Sequence, residues 1–177
     1  AITNDLQKGI VDRFRSLPMS NLAVLNGHVV SDLFRNTIST VVMLLAGLVL
    51  GFRSSASLID WIAITGILVL FTLAFSWLMA IMGVITKSVE GVQWMSFIII
   101  FPLTFASSAF VPTDGMNKYL KAFAENQPIS QVIEAVRALM LGTPIGNHGW
   151  LAVFWCLFLL VIAVPIALIL FKRKTTN

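Results

Sequence analysis

Charged residues are scarce in this 177-residue sequence: Asp, Glu, Lys and Arg make up 11% of it, while hydrophobic residues make up 58%. A soluble domain carries about a quarter charged residues, and the mean hydropathy here is +0.90. The few charges stand in short clusters between long uncharged stretches, as lipid requires of a chain that crosses it repeatedly. The composition therefore excludes a water-soluble globular fold.

Signatures of catalysis and of cofactor binding are also lacking. No G-x-x-x-x-G-K-[ST] motif is present, so the chain cannot itself hold a nucleotide in a phosphate-binding loop. The single cysteine, Cys156, excludes a disulfide framework and a cysteine metal cluster. His28 and His148 are predicted on opposite sides of the membrane, which gives no metal site. We expect no enzyme, no cofactor, and, without a basic stripe, no nucleic-acid partner.

Four apolar segments approach the roughly 20 residues that cross about 30 Å of hydrocarbon at about 1.5 Å per residue. They are Thr37 to Phe52, Leu58 to Ile85, Gly91 to Val111 and Trp150 to Phe171. Apart from Asp60, near the start of the second, they contain no charges, so the usual proton relays and ion sites of coupled transporters are missing. The sequence predicts an all-α, polytopic bundle of four spans, and energy for any pumping must come from elsewhere.

The predicted organisation has four parts. It comprises a cytoplasmic amphipathic segment over residues 1–36, three spans within 37–111 (about 37–52, 58–85 and 91–111), an outer hairpin over 112–149, and a last span with a basic tail over 150–177. Counting Lys and Arg on alternate sides of the spans gives eight against four. The larger group is Lys8, Arg13, Arg15, Arg35, Lys87, Lys172, Arg173 and Lys174; the smaller is Arg53, Lys118, Lys121 and Arg137. Both termini are therefore predicted to be cytoplasmic, in the cell membrane.

The segment over residues 112–149 is too polar to be a span but shows two helical patterns. The first holds Tyr119 and Phe123, with Thr113 and Asp114 as cap candidates. The second begins at Pro128, where a missing N–H costs little, and ends at Gly142. Such a helix, about 20 Å long, falls short of the bilayer. We expect a re-entrant or interfacial hairpin, which marks a pathway if it re-enters the membrane.

Three further patterns each have a functional and a purely structural interpretation. Gly47 and Gly51 form a GxxxG that either brings two helices together or occurs by chance. Glu134 and Arg137 are spaced to pair on the hairpin, either as part of a pathway or as an ordinary exposed pair. Aromatic side chains after the second span could line a path for an apolar substrate, although membrane helices are commonly rich in Phe. These are Phe97, Phe101, Phe105 and Phe110.

Near the N-terminus, apolar residues recur at helical spacing and stop at Pro18, which predicts an amphipathic helix along the membrane. Its role is either a lipid anchor or a docking surface for a cytoplasmic partner, and spacing alone does not separate the two.

Two stretches resemble a known family. The run GIVDRFRSLPMS from Gly9 to Ser20 is similar to a cytoplasmic loop of drug-resistance permeases of the ABC-2 class, the daunorubicin-permease-like group. The run from Phe101 to Gly142 resembles the outer segment of the same group. The resemblance implies an export permease for a drug-like or lipid-like amphiphile, paired with a second permease copy and with separate ATPases that hold ATP and magnesium. It also implies six spans, of which the first two are missing here.

The resemblance further implies that the N-terminal helix docks on the ATPase. The docking residues it implies are Ile10, Asp12, Arg13, Phe14, Arg15, Leu17 and Pro18. The alternative from another functional class is a membrane scaffold or assembly factor, in which the same helix recruits a partner and nothing is transported. Substrate-stimulated ATPase activity of the reconstituted complex distinguishes the two.

Overall fold

The computed structural model describes residues 21–86, 88–107 and 117–176, and all regular structure in these ranges is α-helix. The helices are α1 (Asn21–Val49), α2 (Leu58–Ile85), α3 (Val89–Phe105), α4 (Lys118–Asn126), α5 (Pro128–Leu141) and α6 (His148–Thr176). The predicted all-α bundle is confirmed. Below, the two ends of the bundle are named after the residues that flank α2: the Ser57 end and the Thr86 end.

Helix α2 lies at the centre of the bundle and has the predicted bounds. It begins with a capping box, in which Ser57 Oγ accepts from Asp60 N at 3.3 Å and Asp60 Oδ2 accepts from Ser57 N at 2.8 Å. These contacts satisfy helix N–H groups that have no partner within the helix. Helices α1, α3, α5 and α6 all pack against α2, so it positions every other part of the molecule.

Helix α6 runs parallel to α2 and forms its most extensive contact. Toward the Thr86 end, small side chains lie buried between the two helices: Ala80 on α2, and Ala163 and Ala167 on α6. Small residues let helix backbones approach closely, which is how helices associate in lipid. A second buried cluster toward the Ser57 end joins α2 and α6 to α5, and it includes Ile67, Val132 and Cys156.

Helix α1 starts well before the predicted Thr37. It begins at Asn21, so Asp32 and Arg35 lie within its candidate membrane span Val29–Gly47, and the expectation that spans hold no charge beyond Asp60 is wrong here. Hydrogen bonding within the helix explains why polar residues do not end it. Thr37 Oγ1 donates to Leu33 O at 2.8 Å, and Thr40 Oγ1 donates to Asn36 O at 2.8 Å.

Gly51 ends α1 and is not part of a helix-association motif. Its φ of +94° lies in the left-handed region, where glycine carries no steric penalty. The turn is closed by Phe52 N, which donates to Gly47 O at 2.9 Å. The Gly47 and Gly51 spacing therefore reflects helix termination.

Within the described ranges, three helices are long and apolar enough to cross a membrane: the spans Val29–Gly47, Leu58–Ile85 and His148–Lys172. Helix α3 is apolar but shorter, and its described part ends at Phe105 instead of the predicted Val111. It starts at the Thr86 end, next to α2, where Ser96 Oγ donates to Met79 Sδ at 3.3 Å. At its other end, Leu103 O contacts the hairpin.

Candidate functional site

The predicted aromatic positions on α3 form a continuous ridge, defined here as Phe97, Phe101 and Phe105. Their spacing of four residues places them on one helix face. The ring centroids of Phe97 and Phe101 are 5.0 Å apart, and those of Phe101 and Phe105 are 4.3 Å apart. The three side chains are 55%, 44% and 50% exposed. The ridge thus presents a half-exposed apolar strip along α3.

Helix α3 packs mainly against α2, which leaves much of its surface uncovered by the described chain. Trp94 and Ile98, which lie off the ridge, are also exposed. A groove of about 350 Å³ adjoins the Thr86 end of the ridge, with Glu90, Gln93, Trp94 and Phe97 in its lining. This helix therefore combines an aromatic strip with a recess that carries polar groups.

The other predicted path residue, Phe110, lies outside the described residues, as do all seven predicted docking residues. The cap candidates Thr113 and Asp114 lie outside them as well, and α4 begins later, at Lys118 after Asn117.

Helices α4 and α5 form the hairpin, and α5 has the bounds that the sequence predicts. It begins at Pro128 and ends at Gly142, whose φ of +69° is left-handed. Helix α5 packs against α2, α4 and α6, and its far end is fixed to the chain that precedes α2. There, Ser54 Oγ and Ser55 N donate to Met140 O at 2.9 and 3.1 Å. These contacts hold the hairpin against the Ser57 end of the bundle.

Glu134 and Arg137 pair on α5, with Arg137 Nη1 donating to Glu134 Oε1 at 2.8 Å. The side chain of Arg137 is 45% exposed and that of Glu134 is 29% exposed. An exposed pair of this kind contributes at most about 1 kcal/mol to stability. The pair therefore adds little to stability, but Arg137 also lines an apolar groove between α2 and α5.

The hairpin also contains buried polar side chains that the sequence analysis missed: Gln127, Ser130 and Gln131 are 4%, 1% and 3% exposed. Gln127 Nε2 donates to Leu103 O at 2.8 Å and also contacts Ser130 Oγ at 3.3 Å. The first of these bonds connects the hairpin turn to the last turn of α3. The available signal was that Gln127 and Gln131 recur on the same helical face as Val132 and Ala135.

Gln131 fixes the hydrogen positions around His148. Gln131 Nε2 donates to Glu125 O, a carbonyl that can only accept, so the amide orientation is determined. Gln131 Oε1, 2.8 Å from His148 Nδ1, must then accept a hydrogen bond from the N–H of that nitrogen. His148 also lines a polar pocket of about 400 Å³, together with Glu125, Glu134 and Leu151.

Within the part of the chain that the structure describes, no group of three or more His, Cys, Asp or Glu residues could hold a metal ion. Helix α5 carries the buried glutamines at its start and the ion pair further along, and Gln127 joins it to the last turn of α3, next to the end of the aromatic ridge.

Comparison with known proteins identifies a family and relatives. The family described as ABC-2 type transporter matches residues 1–141. The chain is 30% identical over 185 residues to the daunorubicin resistance ABC transporter permease protein DrrB1 of Streptomyces coeruleorubidus, covering 100% of this chain and 62% of that protein. It is 31% identical over 173 residues to the probable doxorubicin resistance ABC transporter permease protein DrrC of Mycobacterium tuberculosis, covering 96% of this chain and 61% of that protein. The chain thus spans about three fifths of these relatives, and no solved structure matches it.

Proposed function

The chain belongs to the ABC-2 type transporter family, and from that premise we propose that it forms part of the permease subunit of an ATP-binding-cassette exporter. Its substrate is a drug-like or lipid-like amphiphile, and ATP with magnesium is bound by a separate ATPase subunit. The observation that carries the proposal is the family match over residues 1–141 together with two relatives named as drug-resistance permeases.

The phenylalanine ridge is where we place the substrate path. An apolar, half-exposed strip binds flat amphiphiles without demanding one geometry. Because α3 is covered mainly by α2, a second copy of the permease provides the opposite wall. Both a homodimer and a heterodimer fit this arrangement.

Orientation follows from the charges. Arg35 lies within the candidate span of α1, and removing it from the count of eight leaves seven basic residues against four. Both termini of this chain are therefore cytoplasmic, and the hairpin lies at the outer surface of the cell membrane. The Ser57 end then lies outside the cell. Two cytoplasmic termini require an even number of crossings, so α3 must cross in addition to α1, α2 and α6; it is about 25 Å long at about 1.5 Å per residue.

The ATPase docks on the N-terminal helix through Ile10, Asp12, Arg13, Phe14, Arg15, Leu17 and Pro18. Charge reversal tests this, with the variant Arg13→Glu plus Arg15→Glu in the full-length permease. Co-purification with the ATPase is expected to fall roughly tenfold or more, since charge-paired contacts at an interface cost a few kcal/mol when reversed. The control Lys172→Glu, at the C-terminus, retains binding. Undiminished co-purification and transport in the double variant would contradict the docking role.

The transport proposal is tested with inverted vesicles that contain the full-length permease and its ATPase. ATP-dependent daunorubicin uptake is expected, and Phe101→Ala lowers it severalfold because the central ring of the ridge is removed. The melting temperature changes little, since this ring is 44% exposed. The control Ile98→Ala removes an exposed side chain of the same helix off the ridge and leaves uptake unchanged. Equal uptake by both variants would move the path away from the ridge, and a complete lack of ATP-driven uptake of any amphiphile tested would contradict the proposal.

A further inference from the structure

An apolar groove of about 460 Å³ lies between α2 and α5, beside Phe52. Its lining includes Leu68 from α2, and Val136 and Met140 from α5. Among its lining residues only Arg137 is charged. Known ligand pockets range over roughly 300–1,000 Å³, so the groove has room for part of a long hydrocarbon ligand.

The groove has the depth of one leaflet. Phe52 and Leu141 lie near the Ser57 end, beside the turn that follows α1 and the end of α5. Leu68 lies ten residues into α2, about 15 Å from its start at about 1.5 Å per residue. The hydrocarbon core is about 30 Å thick. A groove that runs from the surface to Leu68 therefore matches the length of acyl chains from one side of the bilayer.

Arg137 supplies a charge complementary to a lipid phosphate. One of its amino groups, Nη1, is engaged by Glu134 at 2.8 Å, but a guanidinium presents five N–H donors in a planar fork. The side chain is also 45% exposed, so its remaining donors are accessible. Planar forks of this kind match phosphate oxygens with two parallel hydrogen bonds.

We propose that this groove binds one phospholipid of the leaflet at the Ser57 end. An acyl chain lies against Leu68, Val136 and Met140, and the phosphate binds Arg137. A second copy of the chain would also cover the apolar walls, but Arg137, the one charged group in the lining, has donors besides the one that Glu134 engages, and these suit a lipid phosphate. The inference requires that the protein is embedded in lipid, but it does not depend on what the protein transports.

The test uses full-length permease in phosphatidylethanolamine nanodiscs that contain a phosphatidylglycerol with an acyl-chain diazirine. A diacylglycerol with the same diazirine chain serves as the phosphate-free probe. After irradiation, labelled peptides are identified by mass spectrometry. In the unmodified protein, the phosphatidylglycerol probe is expected to label α5 and the Leu68 region of α2 roughly tenfold more than the diacylglycerol probe, the factor expected for one charge-assisted hydrogen bond.

Variants separate the charge from the groove. Arg137→Gln removes the preference for the phosphate probe, and Arg137→Lys keeps only part of it, because the charge remains but the two-bonded fork is lost. Lys121→Gln is the matched control, since Lys121 is also a hairpin cation paired with an acid, Glu125, at 3.7 Å, but it does not line the groove. Val136→Trp fills the groove and reduces labelling by both probes, whereas Ile162→Trp on the exposed face of α6 does not. Circular dichroism and gel filtration confirm that each variant is folded.

Three results would overturn the proposal. One is equal labelling by the two probes in the unmodified protein, and another is an unchanged preference in Arg137→Gln. The third is a crosslink from this region to a second copy of the chain instead of to lipid. Loss of daunorubicin transport with intact labelling would contradict the proposed function and leave this inference standing.

Discussion

Gln127 joins two parts of the chain that lie 24 residues apart, because its Nε2 donates to Leu103 O at 2.8 Å. Its Oε1 is buried, and no donor in the described structure reaches it. Flipping the amide would set two acceptors, Oε1 and Leu103 O, against each other. The side chain therefore keeps its bond to α3 at the cost of an unsatisfied acceptor, which is the mark of a contact required at that position.

We predict that Gln127→Glu destabilises the protein more than Gln127→Ala does. The glutamate has nearly the same shape but places an oxygen against Leu103 O and buries a charge, whereas alanine loses about 1–3 kcal/mol by leaving one carbonyl unpaired. Thermal unfolding in detergent measures both. The control is Asn126→Asp: the Asn126 amide is exposed and bonds only to Ala122 O of its own helix, so a small change is expected. Melting temperatures of both Gln127 variants equal to that of the unmodified protein would show that this bond does not hold the hairpin.

At the scale of elements, the contact between α2 and α6 depends on small residues. Ala163 and Ala167 are 0% exposed and Ala80 is 2% exposed, so there is no room for a larger side chain without separating the helices. Lipid gives no hydrophobic reason for two helices to associate, so close packing itself provides the attraction.

Ala163→Leu is therefore expected to lower the free energy of unfolding by about 1–3 kcal/mol, the usual effect of overpacking a filled core. Gel filtration and melting temperature in mild detergent would show a less stable, partly aggregated protein. The matched control is Ala46→Leu, because Ala46 lies on the exposed face of α1 and has space for the added atoms. If Ala163→Leu has the melting temperature of the unmodified protein, close packing at these alanines does not hold α2 and α6 together.

The bounds of some elements could be predicted and those of others could not, for a physical reason. Helices α2 and α5 are limited by local chemistry, the Ser57 and Asp60 capping box and the Pro128 and Gly142 pair, which sequence displays directly. The start of α1 could not be found by counting apolar residues, since Asp32 and Arg35 continue a helix that hydropathy alone interrupts.

The candidate site shows the same division. The phenylalanine ridge follows from the spacing of four and was predictable as a face of one helix. The bond from Gln127 to Leu103 depends on how the chain returns after the segment between α3 and α4, which no local pattern reveals. Contacts within one helix were accessible from sequence, and contacts between helices were not.

At the scale of the whole molecule, the proposed orientation requires α3 to cross the membrane. Helices α1, α2 and α6 alone would give three crossings. Because α2 and α6 run parallel, the chain between them must return from the Thr86 end to the Ser57 end. Helix α3 makes the first part of this return, and α5 makes the last part, from Gln127 to Met140 beside Ser55. Helix α3 starts beside α2 at Val89 and reaches the hairpin at Leu103. We therefore propose that α3, although short, is a fourth crossing.

Single cysteines test this arrangement in intact cells that express the full-length permease. Cys156→Ala, a small change at a buried position, is made first, together with replacement of any cysteine elsewhere in the full-length permease. Tyr119→Cys lies on α4, 85% exposed, and Glu90→Cys lies at the start of α3, exposed at the Thr86 end. A membrane-impermeant maleimide is expected to label Tyr119→Cys from outside, and to label Glu90→Cys only after the cells are permeabilised. Labelling of both from outside would mean that α3 does not cross, and labelling of Glu90→Cys alone would mean that the orientation is inverted.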